Sequence, residues 1–229
     1  MATSYVKLLG TRSSPYVNRA QIALNIKSVN YEFLEEKMGS KSELLLESNP
    51  IHKKIPVLIH DDKPICESLI IVQYIDQVWT SAPSILPSDP YDRAIACFWA
   101  AYIDDKLIPL LKEIRTAEGE ESKAAAIERV VEGMVVLEEA FVKCSKGKAF
   151  FGGDSIGYVD IAFGCLLGWL KVTQKMGDMQ LFTEARTPNL VIWAERFCSH
   201  DAVKDVIPKT EELLEISKIK ILQAREKSP

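Results

Sequence analysis

The amino-acid sequence predicts a small α/β domain at the amino end, followed by a larger all-α domain. Short strand-like runs alternate with helix-like patterns through the first ~80 residues, which is typical of a small α/β unit. No convincing alternating run follows Asp92, and the later segments carry helical periodicity. A stretch rich in proline and serine separates the two regions. We therefore predict an α/β domain over residues 1–80, a linker over 81–91 and a helical domain over 92–229.

The α/β region is predicted to contain seven elements in the order βαβαββα. Gly10 ends the first strand, and the first helix carries apolar residues at spacings of three and four. Asp61-Asp62 supplies the turn between the last two strands. The predicted elements are strands over residues 5–9, 30–34, 55–60 and 63–66, and helices over residues 15–27, 41–47 and 67–79. Apolar residues surround the last helix almost completely, so we expect it to be buried on more than one side.

The second region is predicted to be helical throughout. The expected helices span residues 92–116, 122–145, 158–175, 190–199 and 210–224. Pro109 lies inside the first of them and should kink it. If Gly157 caps the third helix, Asp160 can reach back to the backbone N–H groups at the helix start, so we assign Asp160 a folding role.

Composition and charge exclude several classes of protein. The chain has 229 residues, 47% of them hydrophobic, and its net charge of −4 argues against a nucleic-acid partner. No run of ~18 apolar residues and no signal-peptide pattern occurs, so we expect a cytoplasmic location and no membrane span. The five cysteines are scattered without a CxxC pair, as in proteins of a reduced compartment. The three histidines lack metal-ligand spacing, so we expect no metal.

Three short segments of the α/β region could carry chemistry. Ser14 precedes Pro15 at the start of the first helix, where it can be a helix cap or can hydrogen-bond an anion at the helix N-terminus. Ile55 precedes Pro56, and a cis bond there would present the Ile55 backbone to an extended peptide. Glu67-Ser68 opens the third helix, either as capping residues or as groups that hold an ammonium and a carboxylate.

These segments, in this order, resemble the plant tau class of glutathione transferases. The resemblance lies in Ser14-Pro15, Lys41-Ser42, the stretch 49–60 (NPIHKKIPVLIH) and the stretch 63–68 (KPICES). It continues through residues 73–76 (QYID), 86–91 (LPSDPY), 98–99 (FW) and 151–154 (FGGD), so it covers nearly the whole chain.

The resemblance implies a thioredoxin-like domain that binds glutathione as co-substrate, an all-α domain that binds the acceptor, and a cytosolic homodimer. Matched residue by residue, Ser14 becomes the catalytic serine, which donates a hydrogen bond to the thiolate of glutathione. The glutathione contacts implied by the same match are Lys41, Lys54, Ile55, Glu67 and Ser68.

The implied acceptor site combines residues from both domains. Its members are Arg12, Ser13, Ile108, Lys112, Arg115 and Trp169. Arg12 and Arg115 stand where many relatives carry aromatic residues, which puts an aromatic-lined site in doubt. Arg12 could make the pocket mouth basic or could point to solvent, and Trp169 could instead be a core residue. We expect apolar residues of the last helix, such as Leu213 and Ile219, to pack over the pocket.

Two classes of function follow from the resemblance. The first is an enzyme that conjugates glutathione to hydrophobic electrophiles, with glutathione peroxidase activity on organic hydroperoxides as a related reaction. The second is a non-catalytic carrier of flavonoid-, porphyrin- or hormone-like molecules.

Overall fold

The computed structural model describes residues 5–37 and 39–226, with side chains described up to residue 223. The outer ends of the two predicted domains, residues 1–4 and 227–229, therefore lie outside the described residues. The amino-terminal region has the predicted order βαβαββα. Its elements are β1 (Val6–Gly10), α1 (Pro15–Ile26), β2 (Glu32–Glu35), α2 (Glu43–Ser48), β3 (Val57–His60), β4 (Lys63–Cys66) and α3 (Ser68–Val78).

The four strands form one mixed sheet in the order β2-β1-β3-β4. β1 runs parallel to β2 and antiparallel to β3, and β3 pairs antiparallel with β4 through the Asp61-Asp62 turn. Successive residues of a strand face opposite sides, so Leu8 packs in the main core and Leu9 in a smaller one that includes Leu45 of α2. The sheet is thus covered on both faces.

Helix α3 contacts α1, the sheet and Tyr158 of the helical domain, but it is less completely buried than its apolar pattern predicted. Ile71, Val72 and Ile75 are fully buried, and α3 packs against α1. Ile70 is 55% exposed and Val78 41% exposed, so part of the helix surface is left uncovered.

The second region is helical, but two of its predicted helices are interrupted. Its elements are α4 (Pro90–Tyr102), a π-helical turn (Ile103–Leu107), α5 (Ile108–Thr116), α6 (Glu120–Ser145), α7 (Tyr158–Gly164), α8 (Leu167–Gly177), α9 (Pro188–Ser199) and α10 (Thr210–Glu226). The irregularity expected from Pro109 takes the form of the π-helical turn, since proline has no N–H to continue the α-helical ladder. The predicted helix 158–175 is two helices, because the chain turns between Gly164 and Leu167.

The first helix of this region begins at Pro90, two residues before its predicted start. Asp89 caps α4, because its Oδ1 accepts the backbone N–H groups of Tyr91 and Asp92 at 2.9 Å each. Pro90 occupies the first turn, which suits its fixed φ. The connection between α3 and α4 therefore covers residues 79–89.

Asp160 organises the start of α7, as the sequence predicted. It is fully buried, and its carboxylate accepts the backbone N–H groups of Phe151, Gly152 and Gly157 at 2.8–2.9 Å. The indole Nε1 of Trp193 donates to the same carboxylate at 2.7 Å. These contacts join three parts of the helical domain.

A buried arginine joins the two domains. Arg19 of α1 is fully buried and donates to Asp104 of the π-helical turn, with Nη2–Oδ1 and Nη1–Oδ2 distances of 2.6 and 2.9 Å. It also donates to Ser68 Oγ at 3.2 Å and to the carbonyl of Ala162 at 2.9 Å. The guanidinium thus fixes α1 and α3 against the helical domain.

Candidate functional site

A cavity of about 560 Å³ lies between the α/β domain and the helical domain. One wall comes from the start of α1, the residues after β2 and the loop before β3, which we call the α/β side. The other wall comes from α5, α8 and α10, which we call the helical side. The cavity is therefore formed only when the two domains are together.

Ser14 lies at the N-terminus of α1, on the α/β side of the cavity. It caps α1, and its Oγ accepts the backbone N–H of Val17 at 3.4 Å. Among the described residues, no acceptor takes the hydroxyl proton, so Oγ can still donate to a ligand in the cavity. The cap and the ligand-binding interpretation of Ser14 are thus compatible, because one contact uses the oxygen as acceptor and the other uses its proton.

The α/β side carries several lysines. Lys41 and Lys54 line the cavity together with Ile55, whose peptide bond to Pro56 is cis. Lys37 and Lys53 also line it, although sequence reasoning passed over both. The sequence signal for Lys53 is its adjacency to Lys54, whereas Lys37 lies four residues before Lys41 and has no such signal.

Buried polar side chains hold the backbone of the α/β side. Glu36 accepts the backbone N–H and the hydroxyl of Ser42, the cap of α2, at 3.1 and 2.5 Å. Asn49 donates to the carbonyl of Lys54 at 2.9 Å and accepts the backbone N–H of His52 at 3.1 Å. The loop that leads to Ile55 is therefore fixed before any ligand arrives.

Glu67 and Ser68 lie outside the residues that line this cavity. Ser68 is buried and its Oγ accepts from Arg19, whereas the Glu67 side chain is exposed and lies 3.9 Å from His52 Nε2. Glu67 has φ +69°, a left-handed conformation that costs a non-glycine residue about 1–3 kcal/mol.

The helical side brings together four of the predicted acceptor-site residues. Ile108, Lys112 and Arg115 occupy positions i, i+4 and i+7 of α5 and line the cavity. Trp169 of α8 also lines it, and its indole Nε1 donates to the carbonyl of Ser13 at 2.8 Å. This hydrogen bond ties the helical side to the loop that carries Ser14.

Arg12 does not line the cavity, and of the two alternatives that the sequence left open its side chain takes the solvent-facing one. Its side chain is 77% exposed, its Nε lies 4.0 Å from Glu35, and its guanidinium covers the ring of Phe33. The residue before Ser13 thus points to solvent, whereas Ser13 lines the cavity.

The last helix covers the cavity with polar residues rather than the expected apolar set. Ser217 and Lys220 of α10 line the cavity, whereas Leu213 is buried in the domain and Ile219 is exposed. Burial and the neighbouring positive charge of Arg115 lower the pKa of Lys220. Sequence reasoning missed Lys220 because it followed the apolar residues of this helix.

The cavity presents serine hydroxyls and several lysines to a ligand. None of the five cysteines lines it. Within residues 5–37 and 39–226, no group of three or more histidine, cysteine or acidic side chains is arranged to hold a metal ion. No helix in this part of the chain is long and apolar enough to cross a membrane.

Two family models match the two domains. Residues 4–77 match the glutathione S-transferase N-terminal domain, and residues 91–201 match the glutathione S-transferase C-terminal domain. The chain is 60% identical to glutathione S-transferase U17 and 58% identical to glutathione S-transferase U18 of Arabidopsis thaliana. Each match spans 219 residues and covers 95% of this chain and 96% of the relative.

Solved structures agree in fold over both domains. The tau-class glutathione S-transferase MiGSTU from mango, Mangifera indica, is 65% identical with a TM-score of 0.92, over 94% of this chain and 98% of the other. A rice glutathione S-transferase, GST1, solved in complex with glutathione, is 33% identical with a TM-score of 0.87, over 98% and 99%. This chain is a glutathione transferase and belongs to the tau class of that family.

Proposed function

We propose that this transferase binds glutathione on the α/β side of the cavity and that Ser14 stabilises its thiolate for attack on a hydrophobic electrophile. The observation that carries the proposal is the Ser14 hydroxyl, which lines the cavity at the start of α1 with its proton free of any described acceptor. The rice relative solved with glutathione supports the choice of co-substrate.

The Ser14 hydroxyl and the N-terminus of α1 can together stabilise the thiolate enough to lower the thiol pKa of glutathione by about two units. A thiol with a pKa near ~8.5 is mostly protonated at neutral pH, and the thiolate is the nucleophile. Lowering this pKa by about two units requires about 2.7 kcal/mol. One hydrogen bond to a charged acceptor contributes roughly 1.5–3 kcal/mol, and a helix N-terminus contributes up to ~2 kcal/mol. Ser14 acts as a hydrogen-bond donor in this scheme, so it needs no general base beside it.

We assign the other predicted contacts by matching them to the carboxylate, peptide and ammonium groups of glutathione. Lys41 and Lys54 offset the carboxylate charge of glutathione, and the Ile55 backbone pairs with its extended peptide. The exposed Glu67 carboxylate suits the ammonium group of glutathione. Ser68 can donate its backbone N–H and its hydroxyl proton to a carboxylate, because its Oγ only accepts from Arg19. Three extended residues span up to roughly 10 Å, so glutathione can reach beyond the cavity lining to the start of α3.

Two related functions use the same cavity. Glutathione peroxidase activity on organic hydroperoxides needs the same Ser14-stabilised thiolate. The alternative is a carrier role, in which the cavity holds a flavonoid-, porphyrin- or hormone-like molecule without turnover. Ligand binding undisturbed by Ser14→Ala, with no conjugation of any electrophile by the wild type, would favour the carrier.

We also propose a cytosolic homodimer. Tyr91 and Phe98 of α4 are 72% and 57% exposed, and such exposed aromatic residues are typical of a surface that a second copy covers. Light scattering of the purified chain tests this assembly, because a mass of one chain alone would contradict it.

The Ser14 assignment is tested by serine variants and a nitro-substituted aryl chloride as acceptor. Ser14→Ala should lower kcat/KM about 10- to 150-fold, because it removes one hydrogen bond to a charged acceptor. Ser14→Thr keeps the hydroxyl and the cap, so it should retain most activity. Ser13→Ala is the matched control, since Ser13 contacts Trp169 through its backbone carbonyl. Equal losses in Ser13→Ala and Ser14→Ala would contradict the assignment.

A further inference from the structure

Three positive side chains on the helical side have no role in the proposed function. Lys112 and Arg115 come from α5 and Lys220 comes from α10, and all three line the cavity. Within the part of the chain that the structure describes, none of the three forms an ion pair. A neutral aromatic ligand would bury these three cations without supplying an opposite charge, which is unfavourable.

The acidic residues nearest in sequence are paired elsewhere. Glu113 of α5 binds Arg129 at 2.6 Å, and Glu215 of α10 binds Lys218 at 2.7 Å. Among the described lining residues the one carboxylate is Glu36, which lies on the α/β side and already accepts from Ser42. The helical side therefore presents positive charge with no carboxylate of its own.

Lys220 is held in a partly buried position. Its ammonium lies 5.1 Å from the ring centroid of Trp169, and that indole is fixed by its hydrogen bond to Ser13. Burial and the positive charge of Arg115 both lower the pKa of Lys220. A negatively charged ligand group would relieve both effects, because it would replace lost solvation and offset the repulsion.

The same side also offers an apolar surface. Ile108 and Leu111 of α5 line the cavity, as do Leu166 before α8 and Leu170 within it. A ligand that fits this side would thus combine a hydrophobic body with a charged end.

We propose that the helical side selects electrophilic acceptors that carry an anionic group, a carboxylate or a sulfonate, on a hydrophobic body. Lys112, Arg115 and Lys220 set this preference, and the apolar wall holds the body of the acceptor. The inference rests on the proposed function of the cavity. The cations are not required for glutathione, because Lys41, Lys53 and Lys54 already supply positive charge on the α/β side.

A matched pair of acceptors tests the preference: 4-chloro-3-nitrobenzoate and the uncharged 4-chloro-3-nitrobenzamide. In both reactions the thiol proton passes to solvent and the thiolate sulfur bonds to the chlorine-bearing carbon. The carbon–chlorine bond then breaks, and chloride leaves with its electron pair. Each kcat/KM is divided by the uncatalysed rate with glutathione at the same pH, which removes the difference in intrinsic reactivity.

The wild type should favour the benzoate. Lys112→Gln, Arg115→Gln and Lys220→Gln should each reduce the benzoate-to-benzamide ratio about 2- to 5-fold, as expected for partly exposed ion pairs. The triple variant should reduce it roughly 10- to 100-fold, with the KM for glutathione unchanged. Lys218→Gln is the matched control, because Lys218 lies on α10 but not in the cavity lining.

Binding without turnover separates this inference from the role of Ser14. Isothermal titration with the unreactive 3-nitrobenzoate and 3-nitrobenzamide should show the same preference, and Ser14→Ala should leave it intact. No preference in the wild type, or a preference unchanged in the triple variant, would overturn the inference. An increased KM for glutathione, with equal losses on both acceptors, would assign the cations to glutathione and overturn it as well.

Discussion

The two sides of the cavity differ in how their functional groups are held. On the α/β side, Ser14 caps α1, Glu36 holds the cap of α2, and Asn49 fixes the loop that carries Lys54. On the helical side, Lys112, Arg115 and Lys220 project from helix surfaces and lack ion-pair partners among the described residues.

This difference separates two kinds of specificity. The α/β side is built from caps and buried hydrogen bonds, so it presents one arrangement to one co-substrate. The helical side depends on side chains at α5 and α10 positions that can change without disturbing the backbone. Under the proposed function, substitutions on the helical side should therefore change acceptor preference more than glutathione binding.

The largest expected effect comes from the junction that both sides share. Arg19→Met should lower the free energy of unfolding by about 3–5 kcal/mol, because it removes a buried guanidinium that donates to Asp104, Ser68 and the carbonyl of Ala162. Denaturant unfolding measures the loss. Arg129→Met is the control, since its exposed pair with Glu113 should contribute less than about 1 kcal/mol. Similar small losses in both variants would show that the junction does not hold the domains.

A second buried pair, Lys27 and Asp76, joins α1 and α3 to the connecting segment and makes the fold sensitive to acid. Burial raises the pKa of Asp76, but hydrogen bonds from the N–H of Ile85, the ammonium of Lys27 and the N–H of Leu86 lower it more, to a net value below its ordinary 3.8. A lowered folded-state pKa stabilises the fold at pH values above about 4. This stabilisation is lost as the pH falls through the folded-state pKa.

The variant Asp76→Asn tests whether the ionised Asp76 side chain stabilises the fold. It should lower stability at neutral pH by about 1.5–3 kcal/mol and flatten the pH dependence below pH ~4. Urea unfolding at a series of pH values measures both quantities. An unchanged slope between pH ~5 and pH ~2 would contradict the assignment to Asp76.

The link between the two sides is expected to have a smaller effect. Trp169→Phe keeps an aromatic ring but removes the hydrogen bond to Ser13, which is worth about 1 kcal/mol. We expect KM for the acceptor to rise about 5-fold while KM for glutathione stays constant. Trp99→Phe is the control outside this cavity. Equal increases in the KM for the acceptor and the KM for glutathione would show that the two sides do not bind their ligands independently.

Arg12→Gln should have the smallest effect. Arg12 is exposed beside Glu35, so kcat/KM for charged and neutral acceptors should each change by less than about 2-fold. A larger change in kcat/KM confined to the charged acceptor would show that Arg12 contributes to acceptor binding.

The sequence predicted the parts of the molecule that follow local rules. The order βαβαββα, the cap at Ser14 and the reach of Asp160 to Gly157 each depend on neighbouring residues, and each was confirmed. The break between α7 and α8 was missed, because the apolar pattern continues through Cys165 and Leu166.

The features of the site that the sequence left open or missed depend on side-chain direction. Arg12 and Ser13 are adjacent, yet one points to solvent and the other lines the cavity. Lys220 was overlooked because the apolar residues of α10 were expected to face the cavity, and only the packing of that helix shows which face does so. Sequence spacing identifies the residues on a helix face, but the tertiary contacts determine what that face meets.

The most direct test of the role of Ser14 is the pKa of the thiol of bound glutathione. Ultraviolet difference absorbance of the thiolate, measured against pH with saturating glutathione, reports this pKa. It should lie about two units below ~8.5 in the wild type and return most of the way in Ser14→Ala. Ser14→Thr should keep the low value. A low thiol pKa in Ser14→Ala, with glutathione still bound, would contradict the role of the Ser14 hydroxyl.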